Sequence, residues 1–249
     1  MGDPLVVGFP IYQQSTLLDF AGATQVFGFS NGLFRPVWLS AGGPDESVIT
    51  TEYVEVRAAY AFDDPQRPKL DVLFVPGGGG GVYDPQNGEV NGVAGAMQDP
   101  VMQNFLKTAS EEAEWCGSIC SGAFVIAAAG LLDNCEASTY WSQRENLALF
   151  PSISVAPGFP RFVIDYGNRR FSGGGVSSSI DLACELMVIF GGLQAAETAQ
   201  LSVQYAPDPP IRSGDPSQAP PEITRALFES QEEFTATIRQ AVENVLGDN

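Results

Sequence analysis

One short segment of the sequence combines a nucleophile with the local structure that would activate it. An apolar run at 115–119 is followed by Cys120, Ser121 and Gly122, and then by an alanine-rich stretch typical of a helix. A strand that turns sharply into a helix at a nucleophile forms a nucleophile elbow, where the neighbouring residues must be small. A helix N-terminus behind the sulfur stabilises the thiolate, so we expect the pKa of the Cys120 thiol to lie below its free value of about 8.5. The segment predicts a catalytic cysteine.

The remaining cysteines are expected to pack as small apolar residues. Cys116 lies four positions before Cys120, and an extended chain would separate their Cα atoms by roughly 13 Å, too far for a disulfide. Cys184 falls on the apolar side of a predicted helix, and Cys135 is in no metal-ligand pattern. Histidine is absent from the sequence, which excludes Ser–His and Cys–His dyads and leaves thiolates or carboxylates as zinc ligands.

Two other loops should meet the elbow. Asp19 stands at the start of a predicted helix, where it either caps that helix or supplies a carboxyl for proton transfer, and its spacing leaves both roles open. Five glycines at 77–81 follow an uninterrupted apolar run at 71–75. They lack the lysine and hydroxyl of a phosphate-binding loop, so we expect their backbone N–H groups to approach the reacting centre closely, which glycine permits.

The elements that must position these loops alternate between strand and helix. Strands are predicted at 5–9, 36–40, 71–75 and 115–119, with a hairpin or edge strand at 48–56 and a hairpin at 162–172. Helices are predicted at 19–27, 100–113, 123–132, 141–150, 178–190, 195–205 and 222–246. Such alternation is typical of an α/β fold with a mainly parallel sheet and helices on both faces, in which ligands bind at the carboxyl ends of the strands.

Length and charge limit the function classes. The 249 residues suit a single domain, 1–249, with a Pro-rich connector at 206–221 before the C-terminal helix. A net charge of −18 repels nucleic acid and anionic membranes. No apolar stretch approaches the roughly 18 residues that cross a bilayer, and no signal-peptide pattern is present. We therefore expect a cytoplasmic protein that binds neither nucleic acid nor membrane.

Several motifs together resemble the ThiJ/PfpI superfamily and, within it, the isonitrile (isocyanide) hydratases, from about residue 5 to residue 221. They are LDFAG at 18–22, FVPGGG at 74–79, ICSGA at 119–123, AAGLLD at 128–133, FSGGG at 171–175 and QYAPDPP at 204–210. The elbow and glycine motifs are typical of the whole superfamily. The aspartate at 19 and the 205–210 stretch are more typical of the hydratases.

The resemblance implies a flavodoxin-like fold, a homodimer, and an enzyme that needs no cofactor or metal. Its reaction would be the hydration of a small-molecule isonitrile to an N-substituted formamide through a thioimidate. Cys120 would be the nucleophile and Asp19 the proton donor, while Ser121 and the backbone of Gly78 and Gly79 would orient the reacting atoms.

Ile119 and Tyr140 complete the predicted substrate site. Relatives usually carry His–Trp after the threonine that corresponds to Thr139, whereas this chain has Tyr140 and Trp141, so the histidine's role is lost or taken by Tyr140. Two other functions stay open: a cysteine enzyme acting on glyoxals or small carbonyl compounds, and a non-enzymatic ligand sensor with an oxidisable cysteine. The missing histidine and the aspartate at 19 count against the glyoxal reaction.

Overall fold

Strands and helices alternate along the chain in the computed structural model, which describes residues 2–81, 83–84 and 89–247. The strands are β1 (Leu5–Pro10), β2 (Phe34–Ser40), β3 (Ser47–Ile49), β4 (Glu55–Arg57), β5 (Tyr60–Ala61), β6 (Val72–Val75), β7 (Tyr83–Asp84), β8 (Glu89–Val90), β9 (Trp115–Ser118), β10 (Glu136–Ala137), β11 (Ser154–Val155), β12 (Phe162–Asp165) and β13 (Arg170–Gly173). The helices are α1 (Leu17–Gly28), α2 (Gly92–Gln98), α3 (Pro100–Glu112), α4 (Gly122–Ala128), α5 (Arg144–Leu147), α6 (Ser178–Gly191), α7 (Leu193–Ser202), α8 (Pro221–Ser230) and α9 (Glu232–Gly247).

Seven strands form the central sheet, in the order β12-β13-β9-β6-β1-β2-β5. Every pairing in it is parallel except that of β12 with β13, which is antiparallel. The predicted hairpins at 48–56 and 162–172 are both confirmed. Because β9, β6 and β1 are neighbours, the loops that follow their carboxyl ends meet at one edge of the sheet. This is the flavodoxin-like arrangement that the sequence predicts.

Each face of the sheet has its own apolar layer. Leu73 and Val75 of β6 point towards the layer that contains residues of α2, α3, α4 and α9, whereas Val72 and Phe74 point towards the layer that contains residues of α1, α6 and α7. This alternation is the two-residue period of a strand, and both sides of β6 are apolar because both are covered. No helix among the described ranges is both long and apolar enough to cross a membrane.

The first helix begins two residues earlier than its sequence pattern predicts. Its N-cap is Thr16, and the Leu17 N–H donates to Glu52 Oε2 at 3.0 Å, so a distant carboxylate satisfies the free end of the helix. Asp19 is therefore the third residue of α1 rather than its cap. The capping role that the sequence left open for Asp19 is excluded by this geometry, and its carboxyl is available for other contacts.

Helix boundaries elsewhere in the chain also differ from the prediction. The helix expected at 123–132 ends at Ala128, shortly before Gly130 turns with a φ of 77°. The helix expected at 141–150 is one 3₁₀ turn, Trp141–Gln143, followed by the short α5. The single C-terminal helix expected at 222–246 is divided at Gln231 into α8, which has no buried residue, and α9, which packs on α2.

Close packing between β9 and β13 gives a stability prediction. A Cβ atom at Gly117 would lie 2.2 Å from the carbonyl oxygen of Phe171, and backbone in a ladder cannot easily shift. We expect Gly117→Ala to lower the free energy of unfolding by about 3 kcal/mol, or to prevent folding. Gly28→Ala is the control: position 28 is helical with no atom within 4 Å of a new Cβ, and the change should stabilise by up to about 1 kcal/mol. Urea unfolding that gave both variants the same stability would contradict this.

Candidate active site

Cys120 occupies the turn between β9 and α4 in a backbone conformation that non-glycine residues rarely adopt. Its φ is 57°, in the left-handed region. Its N–H donates to Gly173 O at 3.2 Å, and its own carbonyl accepts from Thr139 Oγ1 at 2.9 Å. Bonds from both sides thus hold the strained residue in place, which is the usual condition for strain to persist at a functional position.

The helix behind the cysteine can start so sharply because Gly122 has no side chain. A Cβ at that position would lie 2.6 Å from the carbonyl oxygens of both Val75 and Pro76. The Gly122 N–H closes the turn by donating to Ile119 O at 2.9 Å. The arrangement is the nucleophile elbow that the sequence predicts, and it leaves Cys120 buried with 7% of its surface exposed.

Asp19 is fully buried, and its two carboxyl oxygens have different surroundings. Oδ2 accepts a hydrogen bond from the Gly77 N–H at 2.8 Å. Oδ1 has no hydrogen-bond partner among the residues that the structure describes. Burial raises the pKa of Asp19 to about 8; the Gly77 N–H opposes that shift and the charge of Glu52 adds to it. Asp19 therefore carries a proton at neutral pH.

The Cys120 thiol also keeps its proton in the free protein. Burial raises its pKa well above the ordinary value, and the nearby charge of Asp19 raises it further. The Ser121 N–H and hydroxyl act in the opposite direction but do not overcome burial. The predicted lowering of this pKa is therefore wrong: desolvation outweighs the end of a helix that is seven residues long.

The glycine run joins the carboxyl to the elbow. A Cβ at Gly77 would lie 2.8 Å from Asp19 Oδ2 and equally close to the nitrogen and hydroxyl of Ser121, so only glycine fits between them. The Ser121 hydroxyl accepts from the Gly78 N–H and donates to Gly78 O, both at 3.1 Å. The Gly79 N–H donates to Gln14 O at 2.9 Å. These N–H groups thus bond to protein acceptors, and the glycine run holds Asp19, Ser121 and the loop at Gln14 together.

Tyr12 is part of this site although the sequence pattern did not single it out. It lies two residues after β1, and its hydroxyl donates to Pro76 O at 2.9 Å. Burial raises its pKa well above 10, and the charges of Asp19 and Cys120 add to the shift. The signal that could have found it is its place in the first of the three loops that meet at this edge of the sheet.

A cavity of about 1110 Å³ lies beside the elbow. Its wall includes Leu18, next to Asp19, and Thr139, which bonds to the Cys120 carbonyl. Tyr140 also lines it, and the Tyr140 hydroxyl accepts from Gln231 Nε2 at 3.0 Å. Apolar residues of the wall include Trp141, Phe159, Ile180, Pro207, Ile211 and Leu227. The wall also has six charged residues, which are Arg144, Arg161, Asp181, Asp208, Arg212 and Asp215.

The structure thus brings together Cys120, Asp19, Ser121 and Gly78, and places Tyr140 on the neighbouring cavity. Ile119 is different, because its side chain is fully buried and packs over Gly173. Within the described ranges, no group of three or more Cys, Asp or Glu side chains is placed to hold a metal ion. What the arrangement offers chemically is a thiol beside a neutral carboxylic acid.

Comparison with known proteins gives three similarities at different levels. The profile of the DJ-1/PfpI family matches residues 11–165. Isonitrile hydratase of Pseudomonas putida is 32% identical over 217 residues, which cover 87% of this chain and 85% of that protein. The crystal structure of a ThiJ/PfpI family protein from Pseudomonas syringae superposes with a TM-score of 0.84 at 28% identity, covering 97% of this chain and 91% of that one.

Another relative is a longer protein that this chain matches over only part of its length. The HTH-type transcriptional regulator GlxA of Rhizobium meliloti is 29% identical over 69% of this chain, but the match covers 49% of the regulator. The relatives of this chain therefore include both an enzyme and a transcriptional regulator, and the chemistry of this chain has to be argued from its own site.

The raised pKa of Asp19 gives a stability prediction with a definite sign. The folded protein binds this proton more tightly than the unfolded chain, so the stabilisation is complete below about pH 4 and is lost as the pH rises towards about 8. Compared with Asp19→Asn, the wild type should lose roughly 1 kcal/mol of unfolding free energy per pH unit between pH 5 and 8. Asp165→Asn is the control: hydrogen bonds from Asn168 lower the pKa of the partly buried Asp165, so its stability difference should be flat in that range. Parallel urea titrations would decide the matter; a constant difference for Asp19→Asn would mean that Asp19 is ionised.

Proposed function

Because the chain belongs to the DJ-1/PfpI family, we propose that it uses Cys120 to hydrate an isonitrile to an N-substituted formamide. The observation that carries the proposal is a fully buried carboxyl, neutral at pH 7, next to the nucleophile of the elbow. The 32% identity to an isonitrile hydratase over most of both chains supports it.

Isonitrile chemistry suits this pair of groups because both would act on a single carbon. Attack of a thiolate on the terminal isonitrile carbon places developing negative charge on that same carbon. A proton must arrive there as the carbon–sulfur bond forms, so the acid has to stand beside the nucleophile. Asp19 Oδ1, which accepts no hydrogen bond from a described residue, would be the oxygen that makes this transfer.

The first half of the reaction starts from the pair with one proton. Cys120 Sγ, as thiolate, bonds to the carbon of R–N≡C, and Asp19 gives its proton to that carbon. The product is a thioimidate, R–N=CH–S–Cys120, with Asp19 now ionised. The Gly77 N–H then donates to a charged carboxylate, a bond stronger than the one to the neutral acid.

The second half consumes one water molecule and restores the pair. The ionised Asp19 takes a proton from the water as the water oxygen attacks the thioimidate carbon, and passes that proton to the nitrogen. When this adduct collapses, its hydroxyl proton moves to Asp19, the carbon–sulfur bond breaks, and R–NH–CHO and the Cys120 thiolate are released. Of the two water hydrogens, one ends on nitrogen and the other on Asp19, so the enzyme returns to its starting form.

Ser121, Gly78 and Gly79 would act in this scheme by holding the reacting groups in place. The double hydrogen bond between the Ser121 hydroxyl and Gly78 fixes the glycine run against the elbow. The cavity beside the elbow would receive the R group of the isonitrile. Tyr140, whose hydroxyl already accepts from Gln231, has its own proton free to donate towards the substrate nitrogen.

The first test is turnover by the wild type and by Cys120→Ala. We expect hydration of a simple alkyl isonitrile by the wild type and none by Cys120→Ala, with methylglyoxal converted by neither. Cys116→Ala is the matched control, because Cys116 lies in β9, is fully buried, and should retain its rate while losing some stability. Turnover of methylglyoxal but not of isonitrile would favour the carbonyl enzyme, and turnover of neither would favour a sensor.

The second test removes the proposed acid. Asp19→Asn should lower kcat/KM by roughly two to four orders of magnitude, since the amide cannot donate the required proton. In the wild type, kcat/KM should rise up to about pH 8, where the pair loses its first proton, and fall when the second is lost. The inflection near pH 8 should be absent from the residual rate of Asp19→Asn. If it persists, another group supplies the proton, and Tyr140→Phe would be the next variant to measure.

A further inference from the structure

A single peptide unit connects Tyr12 to Asp19. The carbonyl of Pro76 accepts the hydrogen bond of the Tyr12 hydroxyl at 2.9 Å. The N–H at the other end of the same peptide unit, that of Gly77, donates to Asp19 Oδ2 at 2.8 Å. The two side chains do not need to touch, because the conjugated peptide lies between them and is held at both ends.

A donor on a peptide carbonyl strengthens the N–H of that peptide as a donor. The carbonyl bond shifts electron density towards oxygen, the N–H becomes more positive, and chains of hydrogen bonds reinforce one another in a low-dielectric interior. Ionised Asp19 gains more from this than neutral Asp19, because the bond to a carboxylate is charge-assisted. The Tyr12 hydroxyl therefore favours loss of the proton from Asp19.

Tyr12 is well placed to stay a donor at every working pH. Its N–H donates to Ser15 Oγ at 3.0 Å and its carbonyl accepts from the Ser15 N–H at 2.9 Å, so a tight turn holds its backbone. Thr16, which follows Ser15, donates from its N–H to Gly77 O at 3.0 Å, and this bond ties the loop to the same peptide region. Burial raises the pKa of Tyr12 well above 10, so its hydroxyl keeps its proton.

We propose that Tyr12 is a positioning residue that acts on Asp19 through the Pro76–Gly77 peptide and sets the pH at which the reactive pair loses its first proton. The inference rests on the proposed role of Asp19 as the proton donor to the isonitrile carbon. It assigns a function to a buried hydroxyl that the reaction scheme itself does not use.

Two other titratable groups act on Asp19 besides Tyr12. Cys120 faces it from the elbow, and Glu52 faces it from the loop between β3 and β4, where its carboxylate accepts from the Leu17 N–H. Helix α6, which packs on α1, places the uncharged Ser179 there, with its hydroxyl donating to Leu18 O. Neither Glu52 nor Ser179 bonds to the Pro76–Gly77 peptide. Removing the Tyr12 hydroxyl therefore leaves the effects of these two residues on Asp19 unchanged.

The mechanism predicts an unusual signature for Tyr12→Phe. At low pH the reactive form, thiolate with neutral Asp19, arises from a fully protonated pair in which Asp19 is also neutral, so the variant should form it, and react with iodoacetamide, as readily as the wild type. At higher pH the wild type stops gaining reactivity once Asp19 ionises, and the variant should continue to gain. We expect the pH midpoint of Cys120 alkylation in the variant to rise by about half a unit, and the alkylation rate on the plateau to rise by roughly threefold.

The experiment measures two rates across pH 5–10 for the wild type, Tyr12→Phe, Asp19→Asn and the double variant. One is kcat/KM for an alkyl isonitrile, and the other is alkylation of Cys120 by iodoacetamide, followed by peptide mass spectrometry. In the Asp19→Asn background, Tyr12→Phe should have no further effect on either pH midpoint. Tyr166→Phe is the control, since it also removes a tyrosine hydroxyl bond, to Glu185, in the exposed turn between β12 and β13.

The outcomes separate this inference from the proposed function. An alkylation rate lowered equally at all pH values, an unchanged alkylation midpoint, or the same shift in the Asp19→Asn background would overturn the role of Tyr12. Circular dichroism of each variant excludes unfolding as the cause. Alkylation that shifts as expected in a protein that turns over no isonitrile would leave Tyr12 acting on the pair and refute the hydratase proposal. Isonitrile turnover by the wild type with no shift in the alkylation of Tyr12→Phe would support the hydratase proposal and refute the role of Tyr12.

Discussion

The hydrogen bond from the Gly77 N–H to Asp19 Oδ2 is the contact on which the rest of the site depends. It satisfies one oxygen of a fully buried carboxyl, and the other oxygen has no partner among the residues that the structure describes. A single neutral donor is too weak to hold a buried carboxylate ionised at neutral pH, so the acid keeps its proton. An arginine in place of this N–H would have fixed the charge and removed the proton. The modest strength of the bond therefore makes Asp19 able both to give and to take a proton.

The same peptide region explains why the glycine run has little freedom in sequence. Gly77 passes between a carboxyl and the elbow, and a Cβ at Gly78 would lie 2.4 Å from Gln14 O. The N–H groups of its first three glycines each have an acceptor, which are Asp19, Ser121 and Gln14 in that order. The run thus works as a junction that aligns the loop after β1, the loop after β6 and the turn after β9. A bulkier residue at Gly77 would push Asp19 and the turn at Ser121 apart.

The sequence was sufficient to predict the features that neighbouring residues determine. The strands of the central sheet are read from apolar runs, and the elbow from the small residues around Cys120. The properties that were missed or wrong depend on distant residues. The pKa of the Cys120 thiol is decided by burial beneath several elements, and the role of Tyr12 appears only when the first loop meets Pro76. The break at Gln231 lies in a segment with continuous helical pattern, and its side chain bonds to Tyr140, far away in sequence.

The cavity beside the elbow is built from two separate parts of the chain. Asp19, Cys120 and the glycine run all lie before residue 175, whereas a large share of the apolar wall comes from the stretch after Tyr205, which has few buried residues and includes Ile211 and Leu227. Substitutions in that later stretch can reshape the cavity without touching Asp19 or Cys120. The architecture is modular in this sense: exchange of the connector and α8 between relatives would change the cavity wall and leave the proposed reactive pair unchanged.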